Sequence, residues 1–200
     1  MSVTIAGLQK AEEIDKCEKL FISHKLWGTT KNVEAYGQMG YIAGREWIVK
    51  LTAHEANPLA TYTQENDPVY RDSALEVFLN FVPDKDEYLN FEVNANGALL
   101  CHYGKKGPAN RGPVSRISEE RVTVEVQKEE AIWSVLLRIP FALIQDCFGD
   151  MEITTGKKIS FNLYKISESQ EDLHFISHTY IPSEKPDFHL PECFAEGVIG

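Results

Sequence analysis

From about residue 33 to residue 179, apolar and polar side chains alternate with a period of two, in short runs separated by turn formers. That period belongs to an extended chain with one face against a core, and a helical bundle cannot produce it. The runs are Val33 to Ala43, Trp47 to Ala53, Ser73 to Phe81, Tyr88 to Asn94, Ala98 to Tyr103, Arg121 to Gln127, Ile132 to Ile139, Ile159 to Ile166 and Leu173 to Thr179. Between them lie "AGRE", "VPDKDE", "NANG", "GKKGPANRGP", "QKEEA" and "TTGKK", rich in the Gly, Pro, Asn and Asp that turns require.

Helical signals are few. "AEEIDKCEKLF" spaces Ile14, Cys17, Leu20 and Phe21 as a short amphipathic helix would, and a strand could begin at Lys19. "PFALIQDCFG" opens on proline and closes on glycine, as one short helix does. Neither segment can cover a sheet, so two sheets must cover each other. The expected fold is all-β: a two-sheet, antiparallel, jelly-roll-like sandwich with one or two short helices, spanning residues 1–200 as a single domain. With 200 residues, 43% of them hydrophobic, the chain can fill one such core.

A net charge of -10 argues against a nucleic-acid partner, which needs clustered Lys and Arg. The one basic cluster, Lys105 to Arg116, is broken by Gly and Pro and is expected to be a solvated loop. The N-terminus lacks the basic start and apolar core of a secretory signal, and no long apolar run occurs, so a cytoplasmic protein with no membrane partner is expected. Cys17, Cys101, Cys147 and Cys193 are far apart, without a C-x-x-C pair, and are expected to be free thiols.

Within Ser73 to Phe81, alternation assigns Leu75, Val77, Leu79 and Phe81 to the core and turns Ala74, Glu76, Phe78 and Asn80 the other way. Tyr88 to Asn94 repeats the division, with Leu89, Phe91 and Val93 inward and Tyr88, Asn90, Glu92 and Asn94 outward. The short "VPDKDE" connection makes the two runs a hairpin, so their outward residues form one polar platform. Carboxylates, amides and a tyrosine suit a polyhydroxyl ligand, which offers vicinal hydroxyls and an apolar C–H face. A simply solvated sheet face is the alternative.

The blocks "NDPVYRDSALEVFLNF", "YLNFEVNANGALLCHYG", "WSVLLRIPFALI", "ISFNLYKI" and "HFISHTYIPSEKPDFHLPECFAEGVI" together resemble the family 9-like carbohydrate-binding modules, within the wider DOMON-type sandwich group, over roughly residues 20 to 198. The resemblance implies a non-catalytic module that binds a mono- or oligosaccharide. It implies that two aromatic rings sandwich a sugar while a glutamate and amides hold its hydroxyls. Tyr70, six residues before Glu76, matches one aromatic, and Glu76 matches the carboxylate. The second aromatic position, a Trp in the family's H-F-x-S-W stretch, falls here on His178, with Tyr180 as a substitute two residues on. The expected ligand-binding set is therefore Tyr70, Glu76, Asn90, Glu92, His178 and Tyr180. Asp72 and Asp187 are read as loop-fixing carboxylates.

A protein-interaction domain that kept the sandwich but lost the sugar is the rival reading. Glu76 and Glu92 could also serve as a glycosidase pair, a lesser alternative. His174 and His178 stand four apart, ~13 Å along a strand, too far to share a metal. No cofactor is expected, although the acidic turns "QENDP" and "PDKDE" could hold a structural calcium ion.

Overall fold

The computed structural model describes residues 2–200. Its strands are β1 (Val3–Gly7), β2 (Leu20–Ile22), β3 (His24–Leu26), β4 (Glu34–Ile42), β5 (Glu46–His54), β6 (Ala74–Asn80), β7 (Tyr88–Asn94), β8 (Leu99–Gly104), β9 (Arg111–Pro113), β10 (Thr123–Lys128), β11 (Trp133–Pro140), β12 (Lys158–Ser167), β13 (His174–Ser177) and β14 (Ala195–Ile199). One sheet runs β10-β11-β5-β4, with β2 beside β4, and the other runs β14-β12-β6-β7-β8-β9. β12 shares one edge between two neighbours, pairing β14 through its first half and β13 through its second, and β3 extends β13.

The long runs of alternation became strands at nearly the expected places. Five short strands, β1, β2, β3, β9 and β14, are too brief to show a period. Among them β1 departs from the antiparallel expectation: it lies parallel to both β4 and β14 and joins the two sheets into one curled path.

The core lies between the sheets. Leu75, Val77, Leu79 and Phe81 point into it and are fully buried, as are Trp47, Val49 and Leu51 of β5 and Trp133, Val135 and Leu137 of β11. Trp47 meets Phe81 edge-on at 5.1 Å, and Phe81 meets Phe148 at 5.7 Å. Each such ring contributes about 2–3 kcal/mol by leaving water, which makes this layer the main source of stability.

The helix α1 (Phe141–Phe148) follows Pro140 and stops at Gly149, whose φ of 86° few other residues adopt. Its buried Leu143, Ile144 and Phe148 plug the end of the sandwich. The other helical segment, "AEEIDK", is a 3-10 turn over Ala11–Lys16, and the chain re-extends as β2 from Leu20.

The loop between β8 and β9 depends on Gly104, which has φ 147°; a Cβ there would collide with the Asn110 carbonyl and the Arg111 backbone. Gly104→Ala is expected to cost about 2 kcal/mol, read as a lower urea midpoint with an unchanged slope. A cost below about 0.5 kcal/mol would mean that the loop moves aside freely.

Candidate functional site

Register builds the site. β6 and β7 place Glu76 opposite Glu92 and Phe78 opposite Asn90, and β8 places His102 opposite Asn90 and Leu100 opposite Glu92. On the other flank, β12 sets Tyr164 opposite Glu76 and Asn162 opposite Phe78. All of these side chains share the face turned away from the core, because a strand repeats every two residues.

That face is not the open platform expected from alternation. Every residue of β6 and β7 is buried, on both sides. The cover comes from the chain between β13 and β14. Phe188 stacks on Tyr164 at 4.1 Å and accepts a hydrogen bond from its hydroxyl at 3.0 Å. His189 stacks on Phe78 at 4.8 Å, with its Nδ1 2.8 Å from the Tyr88 hydroxyl. The physical reason is apolar area. Ala74, Phe78, Tyr88 and Tyr164 interrupt the polar face, and with Ile181, Phe188 and Leu190 they form a second core outside the first.

The cover leaves a cavity of about 470 Å³ over the carboxylate end of the face. Glu76, Asn90 and Glu92 form its floor, Tyr70 and Trp27 supply aromatic walls, and Arg111, His102, Glu168, Asp187 and His189 are the other polar or titratable side chains that bear on its charge. Tyr70 sits in the short turn Val69–Arg71 that leads into β6. The turn is fixed from behind by Asp72, whose carboxylate accepts from the Thr61 and Tyr62 N–H groups at 2.8 and 3.0 Å and from Asn94 Nδ2 at 2.8 Å. Asp187 caps locally as well, accepting from the His189 N–H at 2.9 Å.

Trp27 follows β3 with φ 38°, a backbone state that costs a bulky residue on the order of 1–3 kcal/mol. It is held there by a 2.6 Å hydrogen bond from Nε1 to the Ser183 carbonyl and by packing on Phe175 and Phe188 at 5.7 and 5.4 Å. Strain of this kind persists only where surrounding contacts hold it, and such residues cluster at functional sites.

The floor is short of partners. Asn90 Nδ2 donates to Glu92 Oε1 at 3.0 Å, yet Asn90 Oδ1, Glu92 Oε2 and Arg111 Nη1 are all buried without a hydrogen-bond partner among the described residues. An unmade hydrogen bond on a buried group costs about 1–3 kcal/mol, and three such groups line this one cavity. Burial pushes the Glu76 carboxyl well above its usual range, and the Glu92 and Glu168 charges push it further. Glu92 is raised to about 7 by burial, which outweighs the pull of Arg111. His189 is held neutral, down to about 3, by burial and then by Arg111.

Of the residues singled out in the sequence, Tyr70, Glu76, Asn90 and Glu92 come together around this cavity, and His178 and Tyr180 do not line it. β13 ends at Ser177, so the alternation that would carry the chain onward is lost. His178 stacks instead on the core ring of Phe161 at 5.8 Å, with Nδ1 at 2.9 Å from the Phe21 carbonyl. Tyr180 is 63% exposed beside His24. Trp27, Arg111, His102 and His189 were not singled out. His102 is readable from the hairpin register opposite Asn90, whereas Trp27 and Arg111 reach the cavity by chain paths that carry no periodic signal.

A second polar cluster lies inside the core. Lys165 is fully buried on β12 and its ammonium has three partners: Ser73 Oγ at 2.6 Å, His174 Nε2 at 2.7 Å and Glu55 Oε2 at 3.2 Å. His174 Nδ1 lies 2.6 Å from the Asp172 carbonyl, so this nitrogen carries the proton and Nε2 accepts from Lys165. Glu55 also accepts from Trp133 Nε1, from Ser73 Oγ and from Lys31. Glu55, Asp172 and His174 are spaced as metal ligands could be; Lys165 contacts Glu55 and His174, and Lys31 contacts Glu55 and Asp172. The cluster holds His174, whereas His178 packs on Phe161.

Against known proteins, the model of carbohydrate-binding family 9 matches residues 14–199. No curated protein matches the chain. Among solved structures, a presumed carbohydrate-binding protein from Bacteroides uniformis superposes with a TM-score of 0.81 at 21% identity, covering 100% of this chain and 99% of that one. A family 9 module from Caldicellulosiruptor kristjanssonii in complex with cellotriose gives 0.71 at 12% identity, with 100% and 93% covered. The same organism's module in complex with glucose gives 0.72 at 12%, with 100% and 96% covered. At these identities the superpositions establish the sandwich fold.

Proposed function

The chain belongs to carbohydrate-binding family 9, and from that premise we propose that it holds its sugar in the cavity between Tyr70, Trp27, Glu76, Asn90, Glu92 and Arg111. It is a non-catalytic carbohydrate-binding module. The observation that carries the site assignment is the set of buried, unpartnered polar atoms facing a cavity with aromatic walls. Sugar hydroxyls both donate and accept, so they can satisfy the Asn90 and Glu92 oxygens and the Arg111 Nη1 together, while C–H faces pack on the rings. The volume of about 470 Å³ is within the usual range for small-ligand sites. Glycoside cleavage is not supported by the carboxylates. It needs one acid and one ionised partner, and burial pushes Glu76 and Glu92 in the same direction.

Among the described residues no helix is long and apolar enough to cross a membrane. The four cysteines are free thiols, in keeping with our reading of a cytoplasmic protein.

Calorimetric titration with a panel of mono- and oligosaccharides tests the assignment. Tyr70→Ala and Glu76→Gln, each shown to be folded by circular dichroism, are expected to weaken the best ligand about tenfold, or about 1.4 kcal/mol. Silence across the panel would overturn the reading, and full affinity in both variants would move the site elsewhere.

A further inference from the structure

Resting on that assignment, we propose that the preferred ligand is an amino sugar, whose primary ammonium is received by the Glu76 and Glu92 carboxylates and Asn90 Oδ1. The family reading says only that a saccharide binds; the charge pattern of this cavity narrows the class. Glu76 and Glu92 face each other across β6 and β7, and neither is more than 4% exposed. Glu168 and Asp187 add two further carboxylates to the lining, against one guanidinium, Arg111.

The unpartnered atoms on the floor are acceptors. Asn90 Oδ1 and Glu92 Oε2 have no donor among the described residues, and the Glu76 carboxyl borders the same space. A primary ammonium carries three N–H donors and one positive charge. It therefore matches the three acceptors in number, and its charge draws the two buried carboxyls toward their ionised form. A neutral hydroxyl offers one donor and no charge, and leaves the two carboxyl groups to share or repel. The remaining donor, Arg111 Nη1, is left for a ring or hydroxyl oxygen of the same sugar.

Electrostatics point the same way. Burial holds both carboxyls above their ordinary range, helped at Glu76 by the Glu92 and Glu168 charges and at Glu92 by Glu168, which is the condition a bound cation relieves. The ammonium in turn would be costly to bury anywhere it could not be paired.

The test is titration of the wild-type protein with D-glucosamine, D-glucose and N-acetyl-D-glucosamine at pH 7.5 and 0.15 M salt. Glucosamine is expected to bind at least tenfold more tightly than glucose, and N-acetylation, which removes the charge and two donors, is expected to abolish the advantage. Glu92→Gln is expected to bring the glucosamine-to-glucose ratio close to one. Equal or tighter binding of glucose overturns the amino-sugar inference and leaves the sugar site standing. A glucosamine preference that survives both Glu76→Gln and Glu92→Gln reduces it to diffuse attraction by an acidic protein, and also overturns the inference. Absence of binding by every saccharide overturns the site assignment together with it.

Discussion

Replacing Lys165 by methionine is expected to lower the unfolding free energy by about 3–5 kcal/mol, the range seen when one member of a buried ion pair is removed. The side chains are similar in length, so the loss is electrostatic and not a matter of packing. Glu55 stays behind with its side chain fully buried, and the replacement leaves Ser73 Oγ and His174 Nε2 without their ammonium donor. Lys31 still reaches Glu55 at 2.6 Å, which keeps the cost from being larger. Burial alone would push Glu55 up, yet Lys165 and the hydrogen bonds from Lys31, Ser73 and Trp133 hold it down at about 2. Lys165 is itself drawn down to about 8 by burial, against the pull of Glu55. Urea denaturation at pH 7 measures the effect. A second variant, Lys165→Met with Glu55→Gln, is expected to recover about 2 kcal/mol relative to the sum of the single changes. A loss under 1 kcal/mol would show that the cluster contributes little.

The second large effect is in the pH dependence of stability. Glu92 goes from an ordinary value of 4.5 in the unfolded chain to about 7 in the fold. Because the folded value is raised, its contribution is fully present below about 4.5 and is lost as pH rises through about 7. Each unit is worth 1.36 kcal/mol, so the loss from Glu92 is about 3 kcal/mol, and Glu76 adds to it in the same direction. The total profile does not show this directly. His174 and His189 are lowered to about 4 and about 3, and through the same window they gain stability as the unfolded histidines lose their protons. The readout is therefore a difference between two proteins. Glu92→Gln is expected to match wild type near pH 4.5 and to exceed it by about 3 kcal/mol near pH 8. Parallel curves would mean that Glu92 is solvated in the fold.

How much of this could be read beforehand depends on what carried a period. The core faces of β6 and β7 were legible because Leu75, Val77, Leu79 and Phe81 repeat strictly, and a hairpin then fixes their partners. The cover was not, although Phe78 and Tyr88 on the nominally polar face are residues that water would leave poorly satisfied. Lys165 shares the parity of Phe161 and Leu163 on β12, and Ser73 that of Leu75 and Val77, so their burial follows from alternation, whereas Glu55 lies beyond the end of β5 and its pairing with Lys165 carries no periodic signal. Arg111 lay in a run of Lys, Gly and Pro that reads as a solvated loop. Its place over the cavity depends on β9 adding three residues to an edge, a choice made by the tertiary structure. His178 shows the opposite failure: the family pattern continues a strand that in this chain stops one residue short.

The parallel seam of β1 has a consequence for synthesis. Val3, Thr4 and Ile5 align with Gly197, Val198 and Ile199, so β1 finds one of its two neighbours only after the long stretch from β2 to β13 has been made. While the ribosome is at work, the sheet holding β4 can shelter one edge of β1, and the other edge waits. The cover over the cavity lies just before β14, so the residues that join the two sheets through β1 and those that roof the ligand site are made together.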